Sequence, residues 1–343
     1  MLDSLVIGAG QAGLSTSYHL RRRGIDHVVL DANDRPGGAW QHRWDSLTMD
    51  DVHGVADLPD SAAPGRGGES ANVVVPAWFE SYEDAFDLPV RRPVRVDRVT
   101  SEGELLVVHA GDRSWRTRTL VNATGTWTTP FVPHYPGIET FRGRQLHASA
   151  YPGAEAFTGS RVLVVGGGAS AVQILGELAP VTETLWVTRR PPVWRTGFDR
   201  EAGRAAVALV EERVRRGLPP ASVVSVTGLA LREQEREAER RGAFRRRPMF
   251  ERIEPGGVRW EDGTSEPVDV ILWATGFRPS VSHLAPLHLR SPRGGIQLDG
   301  TTAVADPRVQ LVGYGPSAST IGANRAGRAA ALAVSRQLRP AAA

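Results

Sequence analysis

The chain has 343 residues, 41% of them hydrophobic, and a formal net charge of +3; a chain of that length divides more readily into two cores than one. It has no cysteine, and all 41 of its Lys+Arg residues are arginine, which excludes disulfide and thiolate chemistry, cysteine-ligated zinc, Schiff-base catalysis and the lysine of Walker-type phosphate loops. The small charge excess argues against nucleic acid, no run approaches the roughly 20 apolar residues of a membrane helix, and no leader pattern precedes the first strand, so a cytoplasmic protein without a bound metal is expected.

The first predicted elements are a strand, a glycine turn, a helix and a second strand, running from SLVIGAGQAG to DHVVLDAN. This is a βαβ unit opening a parallel sheet. Gly8, Gly10 and Gly13 satisfy GxGxxG, in which the first two glycines let backbone N–H groups of the turn, Gln11 and Ala12 included, approach a pyrophosphate and the third lets helix and strand pack closely. Asp31 closes the second strand 23 positions after Gly8, where a carboxylate accepts hydrogen bonds from an adenosine ribose. Residues Ser61 to Ser70, SAAPGRGGES, read as a mobile surface loop.

A second unit of the same plan runs from RVLVVGGGASAV to TETLWVTRR. Gly166, Gly168 and Ala171 satisfy the GxGxxA variant, with Ala169 and Ser170 opening the helix. The same 23-residue count from Gly166 arrives at Arg189. A carboxylate there would repel a ribose 2′-phosphate, whereas Arg189, with Arg190 and the Thr188 hydroxyl, hydrogen-bonds one, so the second site is expected to take NADPH in preference to NADH. Further on, the mixed-charge run from Leu231 to Arg247 reads as a solvated helix with a basic end. A strand-like VDVILWATG follows, and the helical tail IGANRAGRAAALAVSRQL suits packing back onto the first sheet. The expected architecture is α/β, with two Rossmann-like three-layer domains: residues 1–150 and 275–343 form one, and residues 151–274 are inserted as the other.

At this point the chain resembles the flavin-containing monooxygenases, small bacterial ones in particular, and their Baeyer-Villiger relatives. The likeness is carried by GAGQAGLSTSYHL, LDANDRPGGAWQHRWDSL, NATGTWTTP, FRGRQLHASAYP, VVGGGASAVQIL and LWATGFRP. Its most specific part is the signature Phe-x-Gly-x3-His-x3-aromatic, met by Phe141, Gly143, His147 and Tyr151. The resemblance implies that this segment joins an FAD domain to an NADPH domain and that His147 transmits cofactor binding; a buried histidine satisfied by backbone groups is compatible with that role.

The resemblance further implies that Gly37 and Gly38 contact the flavin side and that Trp40 walls the isoalloxazine, with a core tryptophan as the rival reading. Met49 follows that segment, Val96 in VRVDRV is either the residue whose backbone meets the adenine or a plain core valine, and Ser319 starts a helix aimed at the flavin. The triplet Ala123, Thr124 and Gly125 would flank FAD, and Ala274, Thr275 and Gly276 would flank the nicotinamide nucleotide. Pro316 stands where relatives often carry an acid, and the loop after Leu47 departs from the family pattern, so substrate class does not carry over.

The chemistry implied is reduction of FAD by NADPH, addition of O2 at the flavin C4a position, and transfer of one oxygen from that peroxide to a thioether, amine or ketone. Protein then supplies binding, geometry and a dry pocket, and no catalytic triad is expected. Asp50 and His53 are the side chains expected nearest the reacting edge, His53 being either a tuner of the peroxide's protonation or a structural histidine. Expected partners are a small-molecule substrate and O2, with a homodimer as candidate assembly. An NADPH-dependent flavin oxidase or reductase, an amine N-hydroxylase and a non-catalytic flavin-binding protein share these motifs.

Overall fold

A computed structural model describes residues 1–52, 54–194, 200–221, 229 and 231–339. β1 (Leu2–Ile7), α1 (Gln11–Arg21) and β2 (His27–Leu30) form the first βαβ unit, with Leu5 opposite Val28 in a parallel pair. α2 (Ala71–Ala85) and β3 (Val90–Arg91) follow, then an antiparallel meander of β4 (Arg98–Glu102), β5 (Leu105–Ala110) and β6 (Arg113–Asn122). The last half of β6 returns beside β1 in parallel, Leu5 opposite Leu120.

The chain then builds a second sheet. Its elements are β7 (Arg144–His147), β8 (Arg161–Val165), α3 (Ala169–Leu178), β9 (Glu183–Val187), α4 (Arg200–Arg215), α5 (Glu233–Arg240) and β10 (Arg246–Arg247), followed by a small antiparallel sheet of β11 (Arg252–Glu254), β12 (Gly257–Arg259) and β13 (Ser265–Pro267), and closed by β14 (Val270–Trp273). The order β10-β9-β8-β14-β7 is parallel throughout. Finally β15 (Leu298–Asp299), β16 (Thr302–Ala303), β17 (Val309–Leu311) and α6 (Thr320–Leu338) rejoin the first sheet, whose main path is β15-β16-β17-β6-β1-β2-β3. The fold is α/β with two Rossmann-like units, the second inserted into the first.

Alternation along the strands sends neighbours to opposite faces of each sheet. Val6, Val29 and Val121 join a core that also holds Leu14 of α1, Val75 of α2 and Ala330 of α6, while Leu5, Val28 and Leu120 face the meander. In the second sheet Val164 and Leu272 belong to that same first core, and Leu163, Val165 and Trp273 face the antiparallel sheet. One apolar core therefore runs from the helix side of the first sheet to the helix side of the second, each fully buried Val or Leu stabilising it by about 1.5–3 kcal/mol.

Four local expectations are refined. The tail does pack on the first unit: Gly327 of α6 lies so close to α1 that a Cβ there would come within 2.6 Å of Ser15 Oγ. Val96 is half-buried but precedes β4 instead of sitting in a strand, because the Val94 N–H is drawn to Asp31 O (2.7 Å) away from any ladder. The basic end of the 231–247 run is not helix; Arg246 and Arg247 pair with Trp186 and Val187 as the sheet's edge. The 61–70 loop lies on the surface with both ends anchored, Trp78 Nε1 donating to Ser61 Oγ (2.9 Å) and Ser70 Oγ to Asp45 O (2.7 Å).

Candidate active site

The first glycine turn is fixed by sterics. Gly8 has φ +99°, and a Cβ on it would lie 2.6 Å from Ala123 O; a Cβ on Gly13 would lie 1.8 Å from Gly8 O. Gly10 caps α1 in an extended conformation with no side-chain cap, so the N–H groups of the first turn, from Gln11 and Ala12 onward, are left for a ligand. Gly38, at φ +52°, leans on this turn, its would-be Cβ 2.8 Å from Gly10 Cα, and Gly37 packs against Pro76. The Gln11 side chain donates to Ala56 O (2.9 Å), and its buried Oε1 has no partner.

Asp31 sits 4% exposed at the end of β2. Its carboxylate accepts from Ala9 N (2.6 Å), Asn33 N (2.8 Å) and Asn33 Nδ2 (2.9 Å), so the acid braces the glycine turn from behind. Thr124 Oγ1 donates to Ser280 O (2.5 Å), and Gly125 adopts φ +61° with open space where a side chain would stand. Ser319 caps α6, accepting from Gly322 N (3.1 Å). Met49 is buried in the first core and Trp40 packs against it. Asp50 is exposed on the loop beyond, and His53 lies outside the described residues.

The second turn repeats the steric solution. Gly166 has φ +139°, its would-be Cβ 2.2 Å from Ala274 O, and Ala171 is fully buried under the turn. Gly168 caps α3 in extended conformation without a side-chain cap, ahead of Ala169 and Ser170, and nothing lies within 4 Å of its would-be Cβ. Gly276 is likewise open at φ +80°, and Thr275 Oγ1 donates to Phe131 O. Past β9, Arg189 and Arg190 are exposed, and among the described residues neither guanidinium has a partner. The Thr188 hydroxyl is engaged locally, donating to Arg190 O (2.7 Å) and accepting from Arg246 Nε (2.7 Å), while Arg246 Nη2 donates to Thr188 O (3.1 Å). Arg246 is a third guanidinium at this edge.

The signature segment ties the two units together. Phe141 is in the core beneath the second sheet, and Gly143 faces Asp269 O, 2.2 Å from a would-be Cβ. His147 Nδ1 accepts from Ser149 N (3.1 Å), which leaves Nε2–H to donate to Gly276 O (3.0 Å); burial holds its pKa below the usual imidazole value, against the opposing pull of that carbonyl. Tyr151 OH donates to Glu177 Oε2 (3.2 Å), which also accepts from Ser46 Oγ (2.7 Å), and Trp44 Nε1 donates to Glu177 Oε1 (2.7 Å). Burial pushes the Glu177 carboxyl up despite these donors. Neither Glu177 nor Arg246 was legible in sequence, since their partners lie 26–133 residues away. Nor was the stack of Trp127 on Phe277, 5.0 Å between ring centroids, although an aromatic residue soon after each Ala-Thr-Gly triplet was its signal.

The geometry thus offers two uncapped glycine turns beyond the carboxyl ends of parallel strands, where α/β folds bind dinucleotides. The uncapped helix starts and the empty space over Gly168 fit pyrophosphate-bearing ligands. A pyridine nucleotide-disulphide oxidoreductase family description matches residues 2–314. The solved structure of a flavin-containing monooxygenase from Stenotrophomonas maltophilia is 39% identical, covers 98% of each chain and superposes with a TM-score of 0.84. The uncharacterized oxidoreductase CzcO of Bacillus velezensis is 28% identical over 81% of this chain and 82% of its own length. A Baeyer-Villiger monooxygenase of Streptomyces coelicolor is 30% identical over 62% of this chain and 44% of its own length. With no cysteine for disulfide chemistry, the chain belongs, within the pyridine nucleotide-disulphide oxidoreductase fold family, to the flavin-containing monooxygenases, and it is a flavin-dependent oxidoreductase.

Proposed function

We propose that this chain is an FAD-dependent, NADPH-using monooxygenase that transfers one oxygen atom of O2 to a small soft nucleophile, a thioether or amine, or to a ketone. Residues 1–150 and 275–343 would hold FAD through Gly8, Gly10, Gly13, Asp31, Gly37 and Gly38. Residues 151–274 would hold NADPH through Gly166, Gly168 and Arg189, with β7 contributing an edge strand to that sheet. Bound FAD, reduced by NADPH, supplies the oxygen chemistry. Asp31 orients the turn under the pyrophosphate, and Arg189 and Arg190 offer unpaired cations to the 2′-phosphate. His147 fixes the Gly276 backbone beside the nicotinamide end, and Glu177 fastens α3 to the segment after the flavin loop.

The observation that carries this reading is the pairing of two sterically equivalent glycine crevices, one backed by a buried carboxylate and the other fronted by free guanidinium groups. No helix among the described residues is long and apolar enough to cross a membrane, which suits the proposed cytoplasmic location. The test is aerobic turnover against thioether, amine and ketone panels, following NADPH, hydrogen peroxide and product together. Product formed in proportion to NADPH supports oxygen insertion, as does an absorbance transient between the reduced and oxidised flavin spectra. Peroxide alone, in proportion to NADPH, establishes an oxidase instead.

A further inference from the structure

Among the described residues Arg43 is a cation without a counter-charge. Its guanidinium carbon lies 4.7 Å from the ring centroid of Trp127 and 5.7 Å from that of Trp40. Its Nε is buried with no hydrogen-bond partner, and among the described residues its side chain joins no ion pair. The acid nearest in sequence, Asp45, is held by Asn72 Nδ2 (2.7 Å), and the same amide donates to Arg43 O (2.9 Å), fixing the backbone under the guanidinium. Burial alone brings the Arg43 pKa down to about 10, with no acid acting to raise it. Two indole faces attract a cation but do not neutralise it, and a partly desolvated charge left unpaired is costly. Arg43 stays half-buried rather than sealed, so an anion from outside can reach it.

Its position narrows the choice of anion. The two glycine turns already present uncapped helix starts to phosphates, whereas Arg43 lies against Trp127. That ring follows the first Ala-Thr-Gly triplet and stacks on Phe277, which follows the second. The guanidinium therefore lies against a ring that joins the segments following the two triplets, with the Trp40 indole close by. Its planar fork matches a carboxylate in two parallel hydrogen bonds; Trp127 is already stacked by Phe277 and by His42, so Trp40 is the indole that suits a planar body attached to the carboxylate.

We propose that Arg43 is a substrate-binding residue that selects organic acids, its guanidinium pairing with the carboxylate of a planar substrate that lies against Trp40; this rests on the oxygenase reading above. The experiment titrates FAD-reconstituted enzyme with (phenylthio)acetate and with its neutral amide, following tryptophan fluorescence and the flavin spectrum. Wild type binds the acid tenfold to a hundredfold tighter than the amide. Arg43→Leu removes that gap by weakening the acid alone, and Arg43→Lys restores part of it. Arg43→Gln serves as the second neutral variant, with circular dichroism checking the fold of each. Equal affinity of wild type for acid and amide overturns the proposal. So does a loss in Arg43→Leu and Arg43→Gln that is equal for both compounds, or an intact acid preference accompanied by loss of FAD, which would assign the guanidinium to the flavin. Failure of the oxygenase reading is separate: it shows as NADPH consumption without sulfoxide and leaves the acid-to-amide ratio readable.

Discussion

In the first crevice the residue 23 positions beyond the leading glycine is Asp31, buried and accepting three hydrogen bonds from the backbone and side chain around it. In the second it is Arg189, exposed and unpartnered. Beneath both, a glycine at positive φ rests on the alanine carbonyl of an Ala-Thr-Gly triplet, Gly8 on Ala123 and Gly166 on Ala274. The shared part is steric and holds each turn whether or not a ligand is bound. The differing part is electrostatic: the acid already accepts three hydrogen bonds from protein and so contributes to folding, whereas the arginine is exposed and, on the function proposed above, contributes to coenzyme selectivity.

The sharpest break of that comparison is a pair of glycine substitutions. Gly13→Ala drives a methyl into Gly8 O, at 1.8 Å, and is expected to cost about 3 kcal/mol or more, with loss of FAD retention. Gly168→Ala has free space around the new methyl and no positive φ to violate. It should leave stability within about 1 kcal/mol of wild type while weakening NADPH roughly tenfold or more, because the methyl stands where the pyrophosphate approaches. Thermal melts, flavin content and coenzyme titration read both.

Next in size, Asp31→Ala leaves the Ala9 and Asn33 N–H groups without their acceptor and should lower unfolding free energy by about 2–4 kcal/mol, whereas Asp31→Asn keeps one oxygen and loses less. Urea unfolding distinguishes them. Arg189→Asp is its counterpart: little change in stability, but a preference of kcat/KM for NADPH over NADH of about tenfold to several hundredfold should vanish. Equal use of both coenzymes by wild type would refute the electrostatic half of the comparison. Arg246→Ala, which frees the Thr188–Arg190 turn, should cost a smaller, few-fold factor in NADPH KM.

A separate effect, common to both crevices, is on pH dependence. Burial lowers the pKa of His147 and takes that of His283, whose Nε2 meets Asn122 Oδ1 at 2.7 Å, down to about 4. Both are neutral in the fold, while the unfolded chain takes up protons near pH 6.5. Their stabilising contribution is therefore full above about 6.5 and declines as pH falls through the folded value, which for His283 is about 4 and gives a loss of roughly 2 kcal/mol at pH 5. Glu177 works in the opposite sense: its raised pKa gives a contribution present below the ordinary carboxylate range and lost as pH rises through the folded value. Unfolding curves at pH 7 and 5 should show a net loss at pH 5 that His283→Asn reduces.

What the sequence made legible is what depends on spacing along one stretch of chain. The glycine turns, Asp31 and Arg189 follow from steric or ribose-reaching distances within one βαβ unit, and the Phe141–Tyr151 signature from the resemblance carried by one short linker. What it hid depends on tertiary pairing. Arg246 reaches Thr188 because β10 lies beside β9, and Glu177 collects Trp44, Ser46 and Tyr151 only after α3 docks on the first unit. The Thr188 hydroxyl, read in sequence only as a phosphate contact, also closes the turn behind the two arginines.

The account stands most directly on an anaerobic titration of FAD-reconstituted protein with NADPH and, separately, NADH. It predicts one tightly held FAD per chain whose absorbance NADPH bleaches, with NADH needing at least tenfold more coenzyme for the same rate. Protein that stays colourless after reconstitution, or a bound flavin that NADPH leaves oxidised, would contradict it.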